Sequence, residues 1–141
     1  MLDLGRSHSN TRANSSRTSI LVVDDEYDII DLIKQSFEID GQRVCAFTSP
    51  DVALKHFSSN AKDPHSVVIS DIRMPCMNGY EFVKQVKKIN PKVKVILMSA
   101  FEIEPNEFSN ILPDVKIDDF LQKPFSLKAL KSIVQENIIL L

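Results

Sequence analysis

The chain has 141 residues, of which 43% are hydrophobic, and this length and composition fit one domain with a substantial core. Its formal net charge of −2 provides no general basic field, so we expect no direct binding to nucleic acid or to an anionic membrane. No apolar run approaches the roughly 18 residues of a membrane span, and the N-terminal segment lacks the apolar stretch of a signal peptide. We therefore expect a cytoplasmic protein.

The N-terminal segment differs in composition from the rest of the chain. Residues 1–17 are polar, rich in Ser and Asn, and without hydrophobic periodicity. They carry three arginines against one aspartate, so the tail is positive and the remainder of the chain is negative. We predict a disordered tail at 1–17 and one folded domain at 18–141.

Five short apolar segments alternate with segments of helical periodicity. The predicted strands are 19–25, 43–47, 66–70, 92–99 and 116–121. Helices are predicted after each strand, with Ser49, Asn78 and Ser126 as N-caps and a short fourth helix between Pro105 and Pro113.

Strict alternation of strand and helix predicts a parallel sheet covered by helices on both faces. The first, third and fourth strands are the most apolar and should be central, whereas the second and fifth, with Arg43, Asp118 and Asp119, suit the edges. This pattern predicts a flavodoxin-like α/β fold with five helices and strand order 2-1-3-4-5, whose ligands bind outside the carboxyl ends of the strands.

Polar side chains stand at four of those five carboxyl ends. Asp24 and Asp25 end the first strand, Asp71 the third and Ser99 the fourth, while Lys123 follows the fifth. Each has a simpler interpretation, since an aspartate can cap a helix, a serine can start a turn and a lysine is usually solvated. Together, however, three neighbouring carboxylates would repel one another unless a cation neutralised them, and oxygen ligands in this number suit Mg²⁺.

The two cysteines, Cys45 and Cys76, have neither CxxC spacing nor neighbouring histidines in the sequence. We expect reduced thiols rather than a disulfide or a zinc site.

The segments "LVVDDE", "ISDIRMPCMNGYEF", "ILMSA" and "DDFLQKPF" occur in an order and at a spacing that resemble the receiver domain of two-component response regulators. The resemblance covers about residues 18–141. It implies phosphorylation-dependent signalling in a phosphorelay, with a histidine kinase or histidine phosphotransfer protein as donor and a downstream protein as target. It also implies a monomer or a weak, phosphorylation-dependent dimer that catalyses only its own phosphorylation and dephosphorylation.

The resemblance also implies roles for individual residues. Asp71 would accept the phosphoryl group. The Mg²⁺ ligands would be Asp25 directly, Asp24 mainly through water, Asp71, and the backbone carbonyl of Arg73.

In the same family pattern, Ser99 would bind a phosphoryl oxygen and Lys123 would pair with Asp71 or its phosphate. Ser99 and Phe120 would form the switch, and phosphorylation would remodel the face of the fourth helix, fifth strand and fifth helix. The Lys123–Pro124 peptide bond is expected to be cis.

Two other functions fit parts of the pattern. One is a Mg²⁺-dependent phosphotransferase or phosphatase with an aspartate nucleophile. Such hydrolases usually carry two aspartates two residues apart with the nucleophile on the first strand, whereas here Asp24 and Asp25 are adjacent and the best nucleophile, Asp71, follows the third. The other is a constitutive receiver-like interaction module, against which the complete acidic pocket argues.

Overall fold

The structure is a computed structural model that describes residues 18–59, 64–100 and 115–139. The predicted tail at 1–17 and the predicted helix between Pro105 and Pro113 lie outside the described residues. Within the described part of the chain, no helix combines the length and the apolar character needed to cross a membrane.

Five parallel strands form one sheet in the order β2-β1-β3-β4-β5. Their bounds are β1 Ser19–Val23, β2 Arg43–Phe47, β3 Val67–Asp71, β4 Lys94–Ser99 and β5 Asp119–Gln122. The order confirms the predicted topology, with the most apolar strands at the centre and the second and fifth at the edges.

Four helices are described: α1 Tyr27–Ile39, α2 Pro50–Ser59, α3 Gly79–Ile89 and α4 Leu127–Ile139. Two predicted N-caps are confirmed by their hydrogen bonds. The Glu81 amide donates to Asn78 Oδ1 at 2.9 Å, and the Ala129 amide donates to Ser126 Oγ at 3.0 Å. Each bond satisfies a backbone N–H that the first turn of a helix leaves without a partner.

The sheet separates two hydrophobic clusters, one on each face. On one face α2 and α3 cover Leu21, Val68 and Leu97. On the other, α1 and α4 cover Ile20 and Ile96. Alternate residues of the central strands point to opposite faces, so strands buried on both sides read as the continuous apolar runs seen in the sequence.

The fifth strand begins later than predicted, at Asp119 rather than at residue 116. The cause is Asp118, whose carboxylate accepts the Val95 amide at 2.7 Å while its own amide donates to the Val95 carbonyl at 2.9 Å. Lys87 Nζ lies 3.4 Å from the same carboxylate. The Asp118 carboxylate therefore accepts the Val95 amide where a backbone carbonyl would do so in a regular strand. Regular pairing of β5 with β4 starts at the next residue, Asp119.

Gly79 allows α3 to approach the end of β3 closely. A Cβ at this position would stand 2.4 Å from the Asp71 carbonyl oxygen and 2.8 Å from Ile72 Cα. The Gly79 amide donates to the Ile72 carbonyl at 2.7 Å, which fixes the helix start against the strand end. Both clashing atoms belong to the backbone, so they cannot move aside as a flexible side chain would.

We expect Gly79→Ala to destabilise the protein by at least the roughly 1–3 kcal/mol typical of overpacking. A loss of stability would be informative, because replacing glycine by alanine in a helix otherwise raises the free energy of unfolding by up to about 1 kcal/mol. Urea unfolding of the variant and the parent measures the difference.

Gly41→Ala is the matched control. Gly41 has φ +85° with nothing within 4 Å of an added Cβ, so its replacement meets backbone strain without a clash. We expect that substitution to cost about 1–2 kcal/mol. A Gly79→Ala protein as stable as the parent would contradict the close approach of α3 to β3.

Candidate functional site

The predicted polar residues meet at the carboxyl-end edge of the sheet. Asp24 directly follows β1, Asp71 and Ser99 are the last residues of β3 and β4, and Lys123 directly follows β5. An open pocket of about 320 Å³ at this edge is lined by Asp25, Glu26, Asp71, Arg73, Ser99, Ala100 and Lys123. The parallel sheet thus assembles side chains that are up to 99 residues apart in sequence.

Lys123 contacts three carboxylates at once. Its Nζ lies 2.6 Å from Asp24 Oδ2, 3.3 Å from Glu26 Oε1 and 3.4 Å from Asp71 Oδ1. The Lys123 side chain is only 11% exposed, so its contacts with the buried Asp24 and Asp71 are poorly screened by water. The predicted pairing with Asp71 is present, but the shortest contact is with Asp24.

The backbone around Lys123 holds this side chain over the pocket. The Lys123 amide donates to the Ser99 carbonyl at 2.6 Å, which ties the residue after β5 to the end of β4. The Lys123–Pro124 peptide bond is cis, as expected.

Asp24 serves both the helix start and the pocket. Its side chain is fully buried, and one oxygen, Oδ1, accepts the Glu26 amide at 2.9 Å just before α1. The other oxygen, Oδ2, accepts from Lys123. The structure makes Glu26 the N-cap of α1, so Asp24 does not cap the helix but holds the amide of the cap residue with one oxygen and contacts Lys123 with the other.

Burial and like charges disturb the ionisation of the acids. The pKa of Asp71 is raised from 3.8 to about 6, first by burial and then by the negative charge of Asp24, while Lys123 opposes the rise. Burial also raises the pKa of Asp24, against the hydrogen bond from Lys123. For Lys123, burial lowers the pKa, but the hydrogen bond to Asp24 and the charges of Asp24 and Asp71 outweigh it and raise the pKa.

The donor set fits a hard divalent cation. Asp24, Asp25 and Asp71 each offer a carboxylate oxygen, and these oxygens lie within 4.8 Å of one another. Two of the three residues are buried and Asp25 is exposed, so an ion held here would keep contact with solvent and with some of its waters. Mg²⁺ has this preference, binding through a few carboxylates while retaining water ligands. The exposed Arg73 lines the same pocket, where its backbone carbonyl could add another oxygen.

Sequence reasoning missed Glu26 as a member of the site. Its carboxylate reaches Lys123 although the side chain is 62% exposed. The signal was available, because Glu26 directly follows Asp24 and Asp25 in "LVVDDE". Its exposure leaves it as a peripheral partner of Lys123 rather than a buried ligand.

Phe120 and Cys76, two further residues considered in the sequence, lie outside the pocket lining. Phe120 sits in β5 opposite Leu97 and packs, half-buried, against the cluster under α2 and α3. Cys76 is exposed in the loop between β3 and α3 and has φ +72°, in the left-handed region that side chains other than glycine rarely adopt. In the described part of the chain, neither Cys45 nor Cys76 takes part in a disulfide.

Comparison with protein families gives a match to the response regulator receiver domain over residues 20–135. Among curated proteins, the chain is 33% identical over 113 residues to the response regulator SaeR of Staphylococcus aureus strain USA300. That match covers 80% of this chain and 47% of SaeR, so the chain spans about half the length of the curated relatives it matches.

Solved structures show the same likeness. A response regulator receiver domain protein from Clostridium thermocellum is 30% identical, with a TM-score of 0.74, covering 86% of this chain and 94% of that one. A CheY-like receiver domain protein from Methanospirillum hungatei JF-1 is 26% identical, with a TM-score of 0.73, covering 86% and 93%.

The raised pKa of Asp71 predicts how stability depends on pH. Protonation of Asp71 contributes stability that is fully present below pH 3.8 and is lost as the pH rises through about 6. Above that range the ionised carboxylate is a cost in metal-free protein. We expect Asp71→Asn to be more stable than the parent at neutral pH in a chelator, on the order of 1–3 kcal/mol.

Urea unfolding at several pH values measures this difference, which should shrink as the pH falls through about 6 towards 3.8. Saturating Mg²⁺ should also reduce it, since a bound cation favours the ionised acid. Asp51→Asn, at an exposed position in the first turn of α2, is the control. An Asp71→Asn protein that is no more stable than the parent at neutral pH would refute the claim that the ionised Asp71 carboxylate destabilises the metal-free protein.

Proposed function

Because the chain belongs to the response regulator receiver domain family, whose members act in phosphorylation-dependent signalling, we propose that Asp71 is the residue that accepts its phosphoryl group. The observation that carries the proposal is the contact of Lys123 Nζ with Asp71 Oδ1, 3.4 Å apart at the rim of an open acidic pocket. Asp24 is closer to Lys123 but is fully buried, whereas Asp71 ends β3 and lines the open pocket.

The proposed reaction is a transfer between two side chains. An Asp71 carboxylate oxygen attacks the phosphorus of a phosphohistidine on the donor protein; the O–P bond forms, the N–P bond breaks, and the donor histidine is released. The product is an acyl phosphate. Lys123, already within reach of Asp71, would pair with a phosphoryl oxygen, and the Ser99 hydroxyl would donate to another.

The residues present fit Mg²⁺, with Asp24, Asp25, Asp71 and the Arg73 carbonyl as its oxygen donors. When bound, the ion would neutralise charge on the transferring phosphoryl oxygens. The chain's own residues then have three tasks. Asp25 and Asp24 provide the anionic site, Asp71 provides the nucleophile, and Lys123 offsets negative charge that burial makes costly.

In the cell, we propose a cytoplasmic receiver whose donor is a histidine kinase or a histidine phosphotransfer protein. The only chemistry it would catalyse is its own phosphorylation and dephosphorylation. It would act on a downstream protein, as a monomer or a weak dimer formed on phosphorylation.

The proposed switch couples Ser99 to Phe120. Ser99 ends β4, and Phe120 lies in the neighbouring strand, opposite Leu97, only partly buried. Movement of the Ser99 hydroxyl towards a phosphoryl group would vacate space beside β5, into which the Phe120 ring can turn. Phosphorylation would thus favour a conformation that the unmodified protein samples at low population.

Acetyl phosphate with Mg²⁺ should add one phosphoryl group to the parent, detected by intact mass and lost on acid or hydroxylamine treatment. Asp71→Asn should incorporate none, because the nucleophile is absent. Asp51→Asn, at an exposed acid that does not line the pocket, should behave as the parent. Stoichiometric incorporation into Asp71→Asn would show that another residue is the acceptor.

Removal of Asp25 should weaken Mg²⁺ binding by about tenfold or more, equivalent to roughly 1.4 kcal/mol, since one charged ligand is lost. Titration followed by amide NMR shifts or calorimetry measures the affinity of Asp25→Ala. Asp28→Ala, an exposed acid in the first turn of α1, is the nearby control. Equal Mg²⁺ affinity in Asp25→Ala and the parent would exclude Asp25 as a ligand.

Phe120→Trp tests the switch directly, because the chain contains no tryptophan and the new indole can be excited selectively over the two tyrosines. We expect its emission to shift to shorter wavelength on phosphorylation, as the ring becomes more buried. The same substitution in an Asp71→Asn background should show no shift. Identical emission with and without phosphate on Asp71 would leave Phe120 without a switching role.

A further inference from the structure

A second group of metal-binding side chains lies away from the acidic pocket. Cys45 is in the middle of β2, His56 is in α2 and His65 directly precedes Ser66 and β3. Each offers one ligand atom, and these atoms lie within 4.8 Å of one another. His56 and His65 are distant from Cys45 in the sequence, so the three ligand atoms come together only in the folded chain.

The two histidines already face each other. His56 Nε2 and His65 Nε2 are 3.0 Å apart, a hydrogen bond in which one ring donates and the other accepts. A tetrahedral Zn²⁺ with Zn–N bonds of about 2.0–2.1 Å would hold two nitrogens roughly 3.4 Å apart. The nitrogens therefore need to separate by only a few tenths of an ångström to admit an ion between them.

His65 is oriented by a partner on its other nitrogen. Its Nδ1 forms a 2.7 Å hydrogen bond with Ser19 Oγ, and both residues are buried. Metal-binding histidines commonly use the second ring nitrogen in this way, which fixes the ring and the tautomer and leaves the first nitrogen for the metal. With Nδ1–H donating to Ser19, the Nε2 lone pair of His65 points at His56.

Aromatic rings enclose the histidine pair. The Phe47 ring is 5.2 Å from the His56 ring, and the Phe57 ring is stacked 6.2 Å from the His65 ring. His65 is 2% exposed, while Cys45 and His56 are half-buried. The group is thus shielded from bulk water on one side and accessible on the other, which allows an ion to enter a site with a low local dielectric.

We propose that Cys45, His56 and His65 bind a divalent transition-metal ion, with Zn²⁺ as the best match. Thiolate sulfur and imidazole nitrogen are the ligands that Zn²⁺ prefers, and three protein ligands leave a fourth position for water. On binding, Cys45 releases its thiol proton to solvent and coordinates as thiolate. Both histidines coordinate as neutral imidazoles through Nε2, with their protons on Nδ1.

The proposed ion would connect three parts of the fold that each contribute one ligand. It would link β2 to α2 and to the segment before β3, at the edge of the sheet where β2 is the outermost of the described strands. Ser19 begins β1 whereas Asp24 follows its end, so this site and the acidic pocket lie towards opposite ends of that strand. The proposal is therefore independent of the function assigned to Asp71.

Cobalt gives the sharpest test, since Co²⁺ bound to a thiolate has a charge-transfer absorption in the near ultraviolet. Co²⁺ is added to the full chain, reduced and in excess Mg²⁺ so that the acidic pocket is occupied. We expect one equivalent to produce the band in the parent and in Cys76→Ser, and no band in Cys45→Ser. Cys76 is the matched control because it is the chain's other cysteine.

Zn²⁺ affinity, measured by competition with a chromophoric chelator, tests the nitrogen ligands. His56→Gln should lose more than the roughly 10- to 100-fold that removing an outer partner costs, and Ser19→Ala should lose about 10- to 100-fold. Circular dichroism confirms that each variant is folded. The parent, but not folded Cys45→Ser, should also show a higher thermal midpoint with Zn²⁺.

Three results would overturn the proposal: no thiolate band in the parent, a band that persists in Cys45→Ser or disappears in Cys76→Ser, or equal Zn²⁺ affinity in the parent and folded His56→Gln. If His56→Gln does not fold, Ser19→Ala and Cys45→Ser decide the outcome on the same measurements.

Discussion

The structure of the acidic pocket depends on one ammonium group held among carboxylates. Asp24 is fully buried and Asp71 nearly so, and an ionised pair of this kind is costly without a positive partner. Lys123 supplies that partner, at 2.6 Å and 3.4 Å respectively. Its position in turn depends on β5, because the Lys123 amide is bonded to the end of β4. β5, the shortest and most polar of the described strands, therefore positions the positive charge that stabilises Asp24 and Asp71 at the centre of the sheet edge.

Much of the fold follows from patterns that are local in sequence. Apolar runs identified the strands, and the capping residues Asn78 and Ser126 identified helix starts, because these signals report burial and backbone bonding of the residues themselves. The predicted start of the fifth strand is wrong because a side chain there accepts a hydrogen bond that a backbone carbonyl would otherwise accept. Asp118 takes over an acceptor position and delays β5, an exchange that no periodicity reveals.

The site was only partly predictable for a related reason. Placement at the strand ends follows from topology, so Asp24, Asp71, Ser99 and Lys123 could be grouped from the sequence. Distances could not, and neither could the preference of Lys123 for Asp24 over Asp71. Repulsion among the carboxylates was expected, but burial, the larger cause of the raised pKa of Asp71, was not. The approach of His56 and His65 to Cys45 is a still stronger case, since it requires the packing of α2 against β2.

The contact of Gly79 with the backbone of Asp71 and Ile72 has a consequence for which changes of chain length the protein tolerates. The Gly79 amide donates a hydrogen bond to the Ile72 carbonyl at 2.7 Å, so the two ends of the segment between them are held at a fixed distance. A long, flexible surface loop usually accepts extra residues because added length costs little closure entropy, whereas short or stiff loops deviate from this rule. The loop between Ile72 and Gly79 is short and closed by a backbone hydrogen bond. An inserted or deleted residue would therefore shift either the start of α3 or the Asp71 carboxylate. Among descendants of this sequence, length variation should accumulate elsewhere, and the interval from Asp71 to Gly79 should keep its count even where its residues are replaced.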